Sequence, residues 1–136
     1  AGHHNRKFMR LTGMDVGEHQ AARLLADLDT WRATNGLEGI PLEEAAHQWI
    51  TDVFTPIVRA IPRELAGKLE PAQLYHEYLE HRWYMAQQAG HDVTRDEALA
   101  SYIETILPSK RDEAVLIEPG PGRSSIFSAE SNPDLW

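Results

Sequence analysis

Between Ala46 and Ile61 the apolar side chains recur at helical spacing: Ala46, Trp49, Ile50, Val53, Phe54, Ile57, Val58 and Ile61. Such a stripe puts one face of a helix in a core, and it is not the two-residue alternation of a half-buried strand. No other face in the chain is as hydrophobic, so the sequence predicts that this helix forms the centre of a bundle. Pro56 falls inside the stripe. It lacks an N–H and its ring crowds the preceding turn, which predicts a kink or break near Asp52–Thr55.

The remaining punctuation divides the chain into further helices. A first helix over His4–Thr12 carries Phe8, Met9 and Leu11 and stops at Gly13. Asp15 offers the cap of a second, which carries Ala21, Leu24, Leu25, Leu28 and Trp31 on one face and ends at Asn35-Gly36. Pro41 opens the central helix, with Glu43 and Glu44 in its first turn, where carboxylates suit the dipole. A short turn of helix follows Pro62. The fourth long helix starts at Glu70-Pro71, presents Leu74, Tyr75, Tyr78, Leu79, Trp83 and Ala86 inward, and ends at Gly90. Thr94 and Glu97 form a capping box for a fifth, with Ala98, Leu99, Tyr102, Ile103, Ile106 and Leu107 inward and Pro108 as its stop. The expected fold is therefore all-α, a compact bundle of about five helices. A helical domain over 1–113 is followed by an irregular tail over 114–136, rich in Pro, Gly and Ser around Pro119-Gly120-Pro121-Gly122. In that tail Val115, Leu116, Ile117, Ile126 and Phe127 are apolar side chains able to dock on the bundle.

At 136 residues the chain suits one domain. It contains no cysteine, so disulfides and thiolate metal sites are excluded. A formal net charge of −8 repels a nucleic-acid backbone and an anionic membrane. The one basic cluster, Arg6, Lys7 and Arg10 beside His3 and His4, is small for a phosphate clamp. No apolar run approaches the roughly 20 residues that span a bilayer, and no apolar leader opens the chain. The expectation is a cytoplasmic protein that binds neither nucleic acid nor membrane.

Several separate blocks carry a family resemblance. They are Leu11-Thr12-Gly13-Met14-Asp15-Val16 with Gln20 to Leu28, Gly67-Lys68-Leu69-Glu70-Pro71, and His76 to Tyr84. Ala89-Gly90-His91-Asp92-Val93, Ser101-Tyr102 and Ile106-Leu107-Pro108 complete the set. Together they resemble the domain of unknown function DUF4032 over roughly residues 1–113. The resemblance implies a C-terminal domain of actinobacterial proteins whose N-terminal part is similar to lipopolysaccharide kinases. It implies no activity for the domain itself. The chain has no Gly-rich phosphate loop between strands, no His-Arg-Asp catalytic loop and no Asp-Phe-Gly, so kinase chemistry by this chain alone is not expected.

Two segments carry possible site chemistry. In His76-Glu77-Tyr78-Leu79-Glu80-His81 the pairs His76/Glu80 and Glu77/His81 each share a helix face. Both zinc-protease patterns fail by one residue, since Glu80 stands where the second His of His-Glu-x-x-His belongs and position 77 is not His. Glu44-Ala45-Ala46-His47 is one Glu-x-x-His unit, of which a di-iron bundle needs two plus two more carboxylates. Glu44, His47, His76, Glu77, Glu80 and His81 are thus candidate ligands for a divalent metal such as zinc, iron or manganese. The plainer reading makes them ion pairs on helix surfaces and gives the chain no cofactor.

Arg82, Trp83 and Tyr84 form the second feature. With Trp83 packed inward, Arg82 is free to hold a carboxylate of Glu80, Asp52 or Asp27, or an anionic ligand. Trp49 belongs in the core, where its indole N–H needs an acceptor. No Ser-His-Asp set can be argued, because neither Ser101 nor Ser109 has a local signature. The expected function is a non-catalytic accessory module that binds a kinase-like domain or another protein through its first helix and tail. A metal-binding enzyme or sensor, and an anion- or nucleotide-binding helper, are the alternatives. The oligomeric state is open.

Overall fold

The computed structural model describes residues 2–67 and 69–110, and the tail assigned to 114–136 lies outside them. Every regular element among the described residues is helical: α1 His3–Thr12, α2 Glu18–Thr34, α3 Leu42–Trp49, α4 Thr55–Arg59, α5 Arg63–Ala66, α6 Pro71–Ala89 and α7 Arg95–Ser101. The all-α expectation holds. Contacts divide the chain into two compact units. The first joins residues up to Ala60 with Pro71–Glu77, and the second joins Ile61–Glu70 with the chain from Tyr78 onward.

Helix ends follow their local chemistry closely. α1 stops at Gly13 and α6 at Gly90, each in the left-handed region at φ 77° and 76°, where a Cβ would be strained. At α7, Thr94 Oγ1 accepts the Glu97 N–H at 3.2 Å and donates to the Glu97 carboxylate at 2.9 Å. Two starts differ from expectation. Asp15 is exposed and caps nothing, and α2 begins at Glu18 after an extended Gly17. Glu18 instead accepts the backbone N–H of Asn5 at 3.0 Å and pairs with His4, tying α2 to α1. Pro41 sits one position outside α3, as its cap.

The prolines behave alike, and the kink expected before Pro56 takes a defined form. α3 passes into α4 through a π-helical turn, Ile50–Phe54, in which Thr55 N–H bonds the Ile50 carbonyl five residues back. A second π-helical turn, Tyr102–Ile106, follows α7, and Leu107 N–H bonds the Tyr102 carbonyl. In both, the residue just before a proline makes the wide hydrogen bond. Opening the turn moves the carbonyl that the proline ring would strike, so the helix need not end. Pro108 is therefore not a stop, and helical backbone runs on to Lys110.

The wide turns also set which residues are buried. Tyr102 and Leu107 are both 0% exposed. On an α-helix, five residues rotate a side chain about 140° off the starting face. One π turn returns it to the same face. Trp49, Val53 and Ile57 are all buried at four-residue steps, each of which drifts about 40° on an α-helix. The extra residue of the first π turn takes up that drift.

In the first unit, α1, α2 and α3 pack around Phe8, Leu24, Leu28 and Trp49, all 0% exposed. Phe8 meets Trp49 edge-on, and Tyr75 from the start of α6 stands edge-on to the same indole at 5.4 Å between centroids. Phe54 completes the aromatic group against Trp49 and Tyr75.

Candidate functional site

The first unit holds its polar chemistry at two places. Asp27 on α2 lies beside the aromatic group, and its Oδ2 accepts both the Trp49 indole N–H at 3.0 Å and the Tyr75 hydroxyl at 2.5 Å. The acceptor that Trp49 required is therefore this carboxylate. Spacing along the chain carried no sign of it, because Asp27 and Tyr75 are brought together only by tertiary packing.

The second place is His76. Expected as half of a surface pair, it is 0% exposed, and Glu77 is 3% exposed. Residues 74–78 are all buried, so this stretch of α6 is covered on every side and the surface-pair reading fails for both. His19 on α2 faces His76 with ring centroids 5.9 Å apart. Burial, helped by Arg23 and His19, pulls the His76 pKa down to about 4, so the ring is neutral at pH 7. Gln73 approaches the Glu77 carboxylate at 3.4 Å.

Glu44 and His47 are both exposed on α3. Among the described residues no three His, Asp or Glu side chains gather so as to hold a metal ion. Glu44, His47, His76, Glu77, Glu80 and His81 are thus not assembled into the ligand set that the metal alternative needs.

In the second unit, His81 Nε2 and Ser101 Oγ share a hydrogen bond of 2.7 Å. Burial lowers the His81 pKa as well. Serine beside a neutral imidazole is two-thirds of a hydrolytic triad, and neither residue carries a local signature of it. The backbone around Ser101 is ordinary helix, however, and the Tyr102 N–H is already bonded to the Ala98 and Leu99 carbonyls. That amide is therefore not free to stabilise an oxyanion at Ser101. The bond ties α6 to α7.

Among the described residues Arg82 holds no carboxylate. Its Nε donates to the Val93 carbonyl at 2.9 Å, fixing the turn between α6 and α7. Trp83 corrects the inward assignment most clearly. It is 58% exposed, beside Tyr84 at 55%, because the buried stretch of α6 ends at Tyr78. Tyr84 stacks beside His81 at 6.4 Å between centroids.

One arrangement was absent from the sequence reading altogether. Arg32 near the end of α2 donates to the carbonyls of Leu37, Glu38 and Ile40 at 3.2, 3.2 and 2.6 Å, holding the connection to α3. A lone Arg near a helix C-terminus is the only signal that was available.

Comparison with known proteins adds one match. No curated protein and no solved structure matches the chain. The family model described as "Domain of unknown function (DUF4032)" matches residues 1–107, most of the chain and nearly all of its described part. The chain belongs to the DUF4032 family.

Proposed function

We propose that this chain is a non-catalytic accessory module that docks through α1 onto a kinase-like domain, the pairing that its resemblance to actinobacterial proteins implies. The observation that carries the reading is the outer face of α1. Phe8 and Leu11 anchor the helix inward, while Met9 is 43% exposed between the exposed Arg6 and Arg10. An apolar side chain framed by two guanidinium groups suits an acidic, partly apolar partner surface. It is also an unusual patch on a chain of net charge −8. Among the described residues no helix is long and apolar enough to cross a membrane. A nucleotide-using partner would place the pair in the cytoplasm.

The test is a binding measurement between the 136-residue chain and a domain similar to lipopolysaccharide kinases. Charge reversal at Arg6 and Arg10 with Met9→Ser is expected to weaken binding by at least tenfold and to remove its salt dependence. Equal binding by the variant, or none by the native chain, refutes the reading.

A further inference from the structure

Among the described residues Met9, Trp83 and Tyr84 are the large hydrophobic side chains left exposed, and two of them are neighbours on α6. Adjoining aromatic rings in water mark a contact surface. The chain that follows Lys110 belongs to the same compact unit as these rings, and the distances within that unit bound how far it must travel. From Ser101 to Lys110 the backbone is helical throughout, so it advances by at most about 14 Å. Ser101 Oγ lies 2.7 Å from His81 Nε2, and the His81 ring stands 6.4 Å from that of Tyr84 between centroids. Lys110 is therefore at most roughly 25 Å from the Tyr84 ring. An extended segment from Arg111 to Ile117 spans about 24 Å, and it ends in three consecutive apolar residues, Val115-Leu116-Ile117.

We propose that Val115-Leu116-Ile117 docks on Trp83 and Tyr84, so that the segment following Lys110 covers the outer face of α6. Reach and tethering select this occupant. Even at the upper bound of the separation the triplet comes level with the Tyr84 ring, and any shorter separation leaves slack. A segment tethered this closely is present at an effective concentration on the order of 1 mM, which a separate molecule in dilute solution does not match. Effective concentration falls as a tether lengthens, so the triplet is favoured over Ile126-Phe127, which lies beyond Pro119-Gly120-Pro121-Gly122. Docking removes apolar surface from water on both sides of the contact. Ala114 to Ile117 carry no charge, so they can cover the rings without setting a carboxylate of their own against Glu80, one helical turn before them. The contact involves only α6 and the segment after Lys110, and it does not depend on docking by α1.

The 136-residue chain has no cysteine, so Glu118→Cys provides a single attachment point for a nitroxide, which broadens nearby proton signals. The readout is the Trp83 indole N–H signal in a proton–nitrogen NMR spectrum, assigned by its loss in Trp83→Phe. With the nitroxide oxidised this signal is expected to lose most of its intensity, and to recover it when the nitroxide is reduced. Adding Val115→Ser, Leu116→Ser and Ile117→Ser to the labelled chain should restore the signal with the nitroxide still oxidised. These three positions lie outside the described helices, and unchanged circular dichroism checks that the fold is kept. Full intensity in the labelled chain with its triplet intact overturns the proposal. So does broadening that survives the triple substitution, which would give the cover to another part of the tail or to mere proximity. Broadening of a nitrogen-labelled chain by a separate nitroxide-bearing copy also overturns it, since the contact would then join two molecules.

Discussion

Tyr75 donates its hydroxyl hydrogen to Asp27 Oδ2 across 48 residues of sequence, and the same oxygen receives the indole N–H of the fully buried Trp49. One carboxylate on α2 thereby anchors α3 and the start of α6. Asp27→Ala removes the carboxylate that accepts from two buried donors, at about 1–3 kcal/mol for each bond lost. The expected loss is about 2–4 kcal/mol by urea denaturation, with a changed Trp49 emission spectrum. Asp27→Asn retains an acceptor and should lose about half as much. A loss under ~0.5 kcal/mol for Asp27→Ala would mean that the two bonds do not hold the unit together.

His76 makes stability fall in mild acid. Its pKa is depressed to about 4 in the folded protein, against about 6.5 in an unfolded chain. Between those values the unfolded chain binds more protons, so the contribution is complete above pH ~6.5 and declines as pH falls toward 4. The full difference is about 3 kcal/mol. His81, also depressed by burial, acts with the same sign. Denaturation midpoints across this range should therefore fall with pH, and His76→Gln should flatten most of the slope. An unchanged slope in that variant would assign the acid sensitivity to other groups.

Arg32 should matter more than its position suggests. Removing its guanidinium in Arg32→Ala takes donors from three carbonyls in the α2–α3 connection. The expected cost is about 1–2 kcal/mol, together with faster amide exchange over residues 35–40. Arg32→Lys should recover little, because an ammonium cannot span three acceptors as a planar fork does.

Gly90 lies at φ 76° with open space where a Cβ would stand. Its replacement therefore probes backbone conformation alone. Gly90→Ala should cost about 1 kcal/mol in thermal or chemical unfolding. Gly90→Asn should cost less, since Asn tolerates the left-handed region. Equal stabilities would show that α6 does not depend on this stop.

What could be read in the sequence was the chemistry carried by neighbours in the chain. Gly13, Asn35-Gly36 and Gly90 end helices because the next residue needs a left-handed or irregular backbone. Thr94 and Glu97 lie within reach of each other before any tertiary contact forms. Trp49 announced that it needed an acceptor, but the identity of Asp27 depends on how α2 and α3 pack. His76 and Glu77 looked like surface residues because polarity along α6 does not reveal that every side of residues 74–78 is covered. Trp83 was assigned inward by extending a regular stripe past the point where the buried face ends. The Ser101–His81 bond joins two helices and has no local signature at either residue. The candidate site was thus legible in its residue types and not in its assembly.

The two π-helical turns make residue count, as well as residue identity, part of what the chain encodes. Deleting one residue from Tyr102–Ile106 would let that turn close as an ordinary α-turn and bring Pro108 against the preceding carbonyl. A deletion in Ile50–Phe54 would do the same at Pro56. Leu107 or Ile57 would keep its face, because four residues of α-helix turn about as far as five of a π turn, so the damage would fall on the proline contact. At these two points the helices should tolerate conservative substitutions far better than a change in length.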